Sequence, residues 1–323
     1  GNRLFRNDGD GTFTDITDEA GIVDDGIRGF SPCLVDTDGD RYPELLLAAD
    51  FGTSRYFVNN RDGTFREHTI GAGTGLEWSG MGTTVADFNG DGLVDWMVTA
   101  IFDDEAAGRG DGNSLYLNLG RNTFEQSAAA LGVDDGGWGW GPAAFDVDLD
   151  GLIDVVENNG WNFEAYTSES AKVWLQQPDG TFVDGAADSG LDEYRLFGLS
   201  TIDFDYDGDG DRDIAFTAPN DEFRLYRTDA PPGRGWLGVT LDTADAPGLA
   251  PGGIGAVVRA TVGGTTMSRF VTGCSTYLGQ GDPNPHFGLG AAHTVDELIV
   301  EWPDGTVTRL TDVAADRMLV VAP

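Results

Sequence analysis

Basic side chains are scarce in this chain. Across 323 residues, 19 Lys and Arg stand against 55 Asp and Glu, which gives a formal net charge of −36. Lys172 is the only lysine. Such an acidic surface repels phosphate groups, and this excludes electrostatic binding to nucleic acid or to anionic lipid. A run of about 18 apolar residues is also missing, so no membrane-spanning helix is expected.

Cysteine and histidine are sparse as well, with two Cys and three His in the chain. Two cysteines do not make a disulfide framework. Cys33 lies on a predicted buried strand, so we expect it to act as a small hydrophobic residue, with a disulfide to Cys274 as the alternative. The histidines His68, His286 and His293 are not spaced as a metal-binding set.

Aspartate, by contrast, recurs at regular spacing. The stretch DYDGDGDRD places carboxylates at positions 1, 3, 5 and 9 of a nine-residue loop, and three similar stretches precede it, DTDGDRYPE, DFNGDGLVD and DVDLDGLID. We number these acidic loops 1 to 4 in chain order. Alternating carboxylates on a tight loop supply the oxygen ligands that Ca²⁺ prefers, so about four Ca²⁺ sites are predicted. The predicted ligands are Asp36, Asp38, Asp40 and Glu44 in loop 1, Asp87, Asn89, Asp91 and Asp95 in loop 2, Asp146, Asp148, Asp150 and Asp154 in loop 3, and Asp205, Asp207, Asp209 and Asp213 in loop 4.

The four loops differ in ways that are expected to grade their affinity for a cation. Loops 2 to 4 have glycine at position 6, where it allows the chain to turn, whereas loop 1 has Arg41 there. Loop 2 carries the neutral Asn89 at position 3. Loop 4 is fully acidic, with Asp203 and Asp211 beside it, and is expected to bind most tightly.

The loops belong to a longer repeat of about 50 to 60 residues, a period that indicates a repeat architecture. A glycine precedes each loop by seven residues, and segments such as RYFVNNRDGTFREHTI read as two strands joined by a DGTF turn. Each unit therefore predicts a four-stranded antiparallel meander. Four full units and a partial one at 2–21 predict the blades of a β-propeller, with a solenoid of stacked hairpins as the structural alternative.

The composition changes after loop 4. The last unit lacks a DGTF hairpin, and PPGRG at 231–235 reads as a linker. Longer strand signals such as GAVVRATV and DELIVEW follow. We predict two domains, with propeller blades at 1–230 and a separate all-β module at 236–321.

The acidic loops with their preceding glycine resemble FG-GAP/VCBS repeats, which form propeller blades that include those of the integrin α-subunit head. Residues 252–264, 271–290 and 295–321 resemble the ASPIC/UnbV domain of the cartilage acidic protein family. The resemblance implies Ca²⁺ with a structural role in the loops, and further blades upstream of this chain. A smaller ring closed by the C-terminal strands is the alternative. The family element G-x-G-Y-x-S-Q is altered here to GCSTYLGQ at 273–280.

Topology predicts where a partner binds. In an up-and-down meander, alternate connections lie on opposite edges, so the acidic loops and the DGTF hairpins share one face. The connections on the opposite face are rich in aromatic residues, which suit binding to a protein or a sugar. The predicted binding residues are Glu77, Trp78, Trp138, Trp140, Trp161, Phe163, Tyr166, Tyr194 and Arg195. For Trp138 and Trp140 the alternative is that they plug the central channel.

The sequence thus predicts a secreted, cell-surface or periplasmic Ca²⁺-binding propeller that recognises a protein or glycan. The alternative is an enzyme, in which Glu77, Glu157 or Glu164 act near Tyr166 and Arg195; its catalytic residues are not fixed by any motif. An enzyme predicts a deep pocket on the opposite face, and a binder predicts a flatter aromatic surface. Because Trp161 lies in an inserted connection, little of the scaffold is expected to depend on it. The RGD triplet at 109–111 is expected by chance in such a composition.

Overall fold

The computed structural model describes residues 1–22, 26–102, 112–162, 169–193, 195, 197–219 and 222–323. These residues form β-strands joined by turns, with only short helices between some of the sheets. The all-β prediction is therefore confirmed. None of the helices in these ranges is long and apolar enough to cross a membrane.

The first part of the chain consists of antiparallel sheets in which each strand pairs with its neighbours in sequence. A two-stranded sheet comes first, blades 1 to 3 have four strands each, and blade 4 has three, as the missing DGTF hairpin indicated. The strands are β1 (Phe5–Asn7) and β2 (Phe13–Asp15) in the first sheet, β3 (Arg28–Val35), β4 (Glu44–Asp50), β5 (Arg55–Asn59) and β6 (Phe65–Glu67) in blade 1, β7 (Thr83–Ala86), β8 (Asp95–Val98), β9 (Ser114–Asn118) and β10 (Phe124–Gln126) in blade 2, β11 (Gly139–Phe145), β12 (Asp154–Asn159), β13 (Lys172–Gln176) and β14 (Phe182–Asp184) in blade 3, and β15 (Ser200–Phe204), β16 (Asp213–Thr217) and β17 (Arg224–Tyr226) in blade 4.

Short helices follow the last strands of blades 1 to 3. Each α-helix ends at a glycine in the left-handed conformation, which lets the chain turn towards the next blade. The helices are α1 (Thr69–Ala72), α2 (Ala128–Leu131) and α3 (Ala186–Ser189), and a 3-10 turn (Leu191–Glu193) comes after the last of them.

The blades are arranged radially. The first strands of successive blades lie side by side, with β3 next to β7, β7 next to β11 and β11 next to β15, as in a propeller. Blade 1 packs on the first sheet on one side and on blade 2 on the other, so β4 is buried at six of its seven positions. Tyr56 of blade 1 and Trp96 and Tyr116 of blade 2 are fully buried in one cluster, and aromatic residues of this kind each bury on the order of 150–250 Å².

The C-terminal domain is a sandwich of two sheets around its own apolar core, which includes Leu237, Phe287, Leu298 and Trp302. One sheet has the order β21-β18-β24, with β18 and β24 parallel, and the other has the order β20-β19-β22-β23. Its strands are β18 (Trp236–Leu241), β19 (Val257–Val262), β20 (Thr265–Phe270), β21 (His286–Gly288), β22 (Thr294–Glu301), β23 (Val307–Ala314) and β24 (Arg317–Val321), and a 3-10 turn (Pro251–Gly253) precedes β19.

The segment 271–285 of this domain enters the propeller and contacts its inner strands. Thr276 Oγ1 accepts a hydrogen bond from the backbone N–H of Thr201 at 3.1 Å, and Cys274 forms a disulfide with Cys33 of β3. The expectation that Cys33 is an unpaired buried residue is therefore wrong. The domain folds back over 241 residues of sequence to reach blade 1, and nothing in the local pattern around Cys33 indicates that return.

Candidate functional site

The first aspartate of each acidic loop closes the loop by accepting hydrogen bonds from backbone N–H groups further along it. In loop 4, Asp205 accepts from Gly208 at 2.7 Å and from Gly210 at 3.0 Å. In loop 1, Asp36 accepts from Gly39 at 2.8 Å and from Arg41 at 2.7 Å. These bonds wrap the backbone around the first carboxylate and turn the side chains at positions 3 and 5 towards it.

Two positions of every loop, 4 and 6, have a left-handed backbone. Glycine fills most of them, but Leu149 occupies position 4 of loop 3 with φ 60° and Arg41 occupies position 6 of loop 1 with φ 72°. A left-handed conformation is costly for residues that carry a Cβ. Their side chains have contacts that compensate, since Leu149 is buried and the guanidinium of Arg41 lies against Gly305.

The ninth residue of each loop is buried and joins the loop to the strands beside it. Asp154 accepts hydrogen bonds from the backbone N–H of Val147 at 2.9 Å and of Gln176 at 2.8 Å. Asp213 does the same with Tyr206 and Thr228, both at 2.9 Å. The ninth carboxylate therefore supports the blade in addition to facing the loop, a role that the sequence analysis did not anticipate.

Three loops bring carboxylates close enough together to share one cation. One oxygen from each of three aspartates lies within 4.8 Å of the others in loops 1, 3 and 4. The groups are Asp36, Asp38 and Asp40, then Asp146, Asp148 and Asp154, then Asp205, Asp207 and Asp213. In loop 2 the amide of Asn89 bonds Asp91 at 3.1 Å, and Oδ1 of the buried Asp87 has no hydrogen-bond partner. Such donor sets fit a hard cation such as Ca²⁺.

Burial raises the pKa values of several carboxyl groups in the acidic loops. Desolvation raises the pKa of Asp95 and of Asp146 to about 7, and that of Asp154 to about 8. The pKa of Glu44 is raised to about 7, again mainly by desolvation. Negative charge at these positions is therefore costly without a cation nearby.

These shifts predict how the stability of the metal-free protein depends on pH. The folded state holds protons on these groups up to about pH 7, whereas the unfolded state releases them near pH 4, so the free energy of unfolding falls as pH rises between the two. We expect the metal-free melting temperature to be higher at pH 5.5 than at pH 8. Calcium favours the ionised carboxylates, so saturating Ca²⁺ should abolish or reverse the trend. Calorimetry at both pH values, with and without chelator, tests this, and a metal-free melting temperature that rises towards pH 8 would contradict it.

The C-terminal domain covers the acidic loops, mainly at position 6. A Cβ on Gly92 would lie 2.9 Å from Nη1 of Arg259, and one on Gly151 would lie 3.3 Å from Sδ of Met267. A Cβ on Gly210 would overlap the indole of Trp236. Glycine at position 6 therefore serves the turn and also lets the domain approach closely.

Several of the predicted binding residues on the opposite face are part of a packed aromatic cluster. Trp140 is buried, and the Trp161 ring stacks on Trp138 and Trp140 with centroids 5.3 and 5.2 Å away and meets Phe197 edge-on at 4.3 Å. Tyr277 of the segment 271–285 completes the cluster. The expectation that little of the scaffold depends on Trp161 is therefore wrong, and the structure favours the central-plug alternative for Trp140.

The other predicted residues of that face have mixed environments. Glu77 is buried and accepts a hydrogen bond from the Tyr116 hydroxyl. Trp78 and Arg195 are exposed, so their expected role in binding stays a prediction. The remaining residues proposed for binding or catalysis lie outside the described part of the chain; they are Phe163, Glu164, Tyr166 and Tyr194. The RGD triplet at 109–111 also lies outside it.

Comparisons with known proteins follow the division into blades and C-terminal domain. Residues 1–47 and 36–98 match the family model for FG-GAP-like repeats, and residues 248–323 match that for ASPIC and UnbV. The chain combines FG-GAP-like repeats with an ASPIC/UnbV domain. Cartilage acidic protein 1 of Xenopus tropicalis is 25% identical over 313 residues, which are 95% of this chain and 38% of that protein. The chain thus spans well under half of the length of this relative.

Two solved structures show only a loose likeness to this chain. A lectin of Agrocybe aegerita that recognises non-reducing terminal N-acetylglucosamine aligns with a TM-score of 0.38 and 21% identity, over 70% of this chain and 57% of its own. The V. cholerae biofilm matrix protein Bap1 aligns with a TM-score of 0.34 and 11% identity, over 87% of this chain and 48% of its own. Likenesses of this degree do not indicate a shared function.

Two residues of the opposite face escaped the sequence analysis. Phe51, between β4 and β5, and Leu278, next to Tyr277 of the ASPIC/UnbV domain, are 58% and 74% exposed. Both have a left-handed backbone, with φ 57° and 53°. Neither the connection between β4 and β5 nor the altered GCSTYLGQ element carries a sequence signal that predicts this conformation.

Proposed function

We propose that this chain is part of an extracellular Ca²⁺-binding propeller that recognises a protein partner through the face opposite the acidic loops. The observation that carries the cation part is the convergence of three carboxylates in each of loops 1, 3 and 4. The unpartnered, buried Oδ1 of Asp87 supports a site in loop 2. In this proposal the cations stabilise the loops on which the ASPIC/UnbV domain rests, and the opposite face makes the contact with the partner.

Phe51 and Leu278 support the recognition part. A left-handed backbone costs these residues roughly 1–2 kcal/mol each, and a large apolar side chain held in water gains nothing for folding. Trp78 is 39% exposed, and its ring lies against Gly52, the neighbour of Phe51. Strained backbone is concentrated at binding sites, and exposed apolar side chains favour a protein surface over a glycan.

The disulfide supports the extracellular location. Cys33 and Cys274 are both buried and joined, and disulfides of this kind persist mainly in oxidising compartments. Secretion or display at the cell surface follows as part of the proposal.

Two carboxylates of the enzyme alternative, Glu77 and Glu157, lie in the described part of the chain, where both have structural contacts. Glu157 is buried, and its carboxylate accepts hydrogen bonds from Asn113 at 2.7 Å and from the Trp174 indole at 3.1 Å. Glu77 is buried against Tyr116. One oxygen of each carboxylate thus holds neighbouring segments of the blades together, as buried polar groups commonly do, so we propose recognition and not catalysis.

The recognition face is tested with the double variant Phe51→Asn, Leu278→Asn, because Asn tolerates a left-handed backbone and is polar. Partners are first captured with the immobilised wild-type chain from secreted proteins of its source organism, in 1 mM CaCl₂. For a captured partner, we expect the double variant to weaken binding by roughly tenfold to a hundredfold. Its melting temperature should be equal to or above that of the wild type, because Asn adopts the left-handed backbone at lower cost.

Val320→Asn is the matched control, because Val320 is 64% exposed on the ASPIC/UnbV domain. Full affinity of the double variant for every captured protein, measured by surface plasmon resonance, would show that these two residues do not form the recognition face. Failure of both variants to bind would point to a general loss of structure.

A further inference from the structure

Arg234, in the linker before the ASPIC/UnbV domain, makes an ion pair with acidic loop 3. Its Nη1 lies 2.8 Å from Oδ1 of Asp148 and 4.0 Å from Oδ2 of Asp150. These aspartates occupy positions 3 and 5 of the loop. The guanidinium therefore places a positive charge on Asp148, which belongs to the converging carboxylates of loop 3, and close to Asp150, a further ligand predicted from the sequence.

A short backbone ladder fixes Arg234 in this place. The N–H of Gly290 donates to the carbonyl of Leu149, at position 4 of loop 3, at 2.9 Å. The carbonyl of Gly290 in turn accepts from the N–H of Gly235 at 2.8 Å, and Leu289 donates back to Gly235 at 2.9 Å. The residue before Gly235 is thereby held beside loop 3, and its ion pair depends on the seating of the domain.

The loops differ in this respect. In loop 1, Arg61 of the same blade pairs with Asp40 at 2.5 Å, so that loop also carries a guanidinium. In the described part of the chain, no arginine lies within ion-pair distance of the predicted ligands of loops 2 and 4. Loop 2 is approached from the domain by Arg259, whose guanidinium lies 3.5 Å from the carbonyl of Gly92 and not against a predicted ligand. Among the described residues, Arg234 is the arginine from outside the blades that makes an ion pair with predicted ligands.

We propose that Arg234 is a built-in competitor for divalent cations at acidic loop 3. The inference rests on the proposed cation binding. It adds that a cation at loop 3 has to displace the guanidinium of Arg234 from the carboxylates. Because a positive charge near the site repels a second cation, Arg234 lowers the affinity of loop 3 relative to loop 4. The same ion pair links the loop to the linker, so cation binding at loop 3 and the contact between linker and loop oppose each other.

The test is calorimetric titration of the chelator-treated full chain with CaCl₂ at low ionic strength. We expect Arg234→Gln to tighten one site by roughly three- to tenfold, as a unit charge some ångströms from a divalent ion predicts. Arg234→Lys keeps the charge and should stay close to the wild type. Arg309→Gln is the matched control, because Arg309 pairs with Glu297 on the domain, away from the loops. The gain from Arg234→Gln should shrink in 0.5 M NaCl, since screening weakens the repulsion.

Two further variants separate the inference from the proposal on which it rests. Asp207→Ala removes a predicted ligand of loop 4 and should abolish one site whether or not Arg234 competes. Asp150→Asn combined with Arg234→Gln should remove the gain, which assigns it to loop 3. An unchanged or weakened site in Arg234→Gln, alongside a lost site in Asp207→Ala, would overturn the competitor role and leave cation binding standing. No calcium binding by the wild type would overturn both.

Discussion

Removal of calcium is expected to lower the melting temperature of this protein by roughly 10 °C or more. A ligand that binds only the folded state stabilises it by about 2.7 kcal/mol when present at 100 times its dissociation constant. Two or more occupied loops therefore contribute several kcal/mol, and each kcal/mol corresponds to about 2–4 °C in a chain of this size. The buried carboxylates of Asp95 in loop 2 and of Asp146 and Asp154 in loop 3 add to the loss, because each lies near other carboxylates of its own loop that are uncompensated once the cation leaves.

Calorimetry in 1 mM CaCl₂ and in excess chelator measures this shift, and elemental analysis counts the bound metal. In the presence of calcium, the melting temperature of Asp207→Ala should already be lower than that of the wild type. The chelator should lower it further by less than it lowers that of the wild type. Asp245→Ala is its control, since Asp245 is exposed on the C-terminal domain outside every loop. Identical melting curves with and without calcium would leave the acidic loops without a role as metal sites.

Gly210→Ala is expected to destabilise the protein far more than Gly208→Ala, although both glycines lie in loop 4 with left-handed backbones, at φ 99° and 79°. Each substitution introduces a Cβ into that conformation at a cost of about 1 kcal/mol. The Cβ at 208 meets nothing within 4 Å, whereas the Cβ at 210 overlaps Trp236 at the start of β18. We expect about 1 kcal/mol for Gly208→Ala and about 3 kcal/mol or more for Gly210→Ala, because overpacking adds to the strain.

Melting curves of the two variants at saturating calcium give the comparison. Equal losses would mean that the domain does not rest on position 6. If the difference between the variants is seen, Trp236→Ala in the Gly210→Ala background should recover part of the loss, since it removes the ring that the new methyl group meets.

The propeller was readable from the sequence because its signals are local. A loop such as 205–213 carries its ligands, its turn glycines and its position in the repeat within nine residues. The same holds for the DGTF hairpins and for the strands of the C-terminal domain. Residues at fixed short spacing interact with one another whatever the remote parts of the chain do, so pattern and structure agree there.

The remaining features depend on contacts between distant segments, which no spacing reveals. The pairing of Cys33 with Cys274, the contact of Tyr277 with Trp140 and the position of Arg234 beside Asp148 arise when the C-terminal domain and the blades come together. The packing of Trp161 against Phe197 joins two separate connections of the blades. The sequence indicates the two parts, but it contains no signal for the face of the blades that the C-terminal domain contacts. For that reason the loop-to-domain contacts at position 6 were missed, although the glycines themselves were noticed.

The disulfide makes most of the polypeptide a covalent circle. A single cut in any peptide bond between Cys33 and Cys274 leaves the two resulting pieces joined through sulfur, and these residues are 241 positions apart in the chain. Each piece also keeps its contacts with the neighbouring blades. In surroundings rich in peptidases, one cut in a connection between two strands therefore does not release a fragment. The two pieces of a cut chain can separate only after a reductant has broken the buried disulfide.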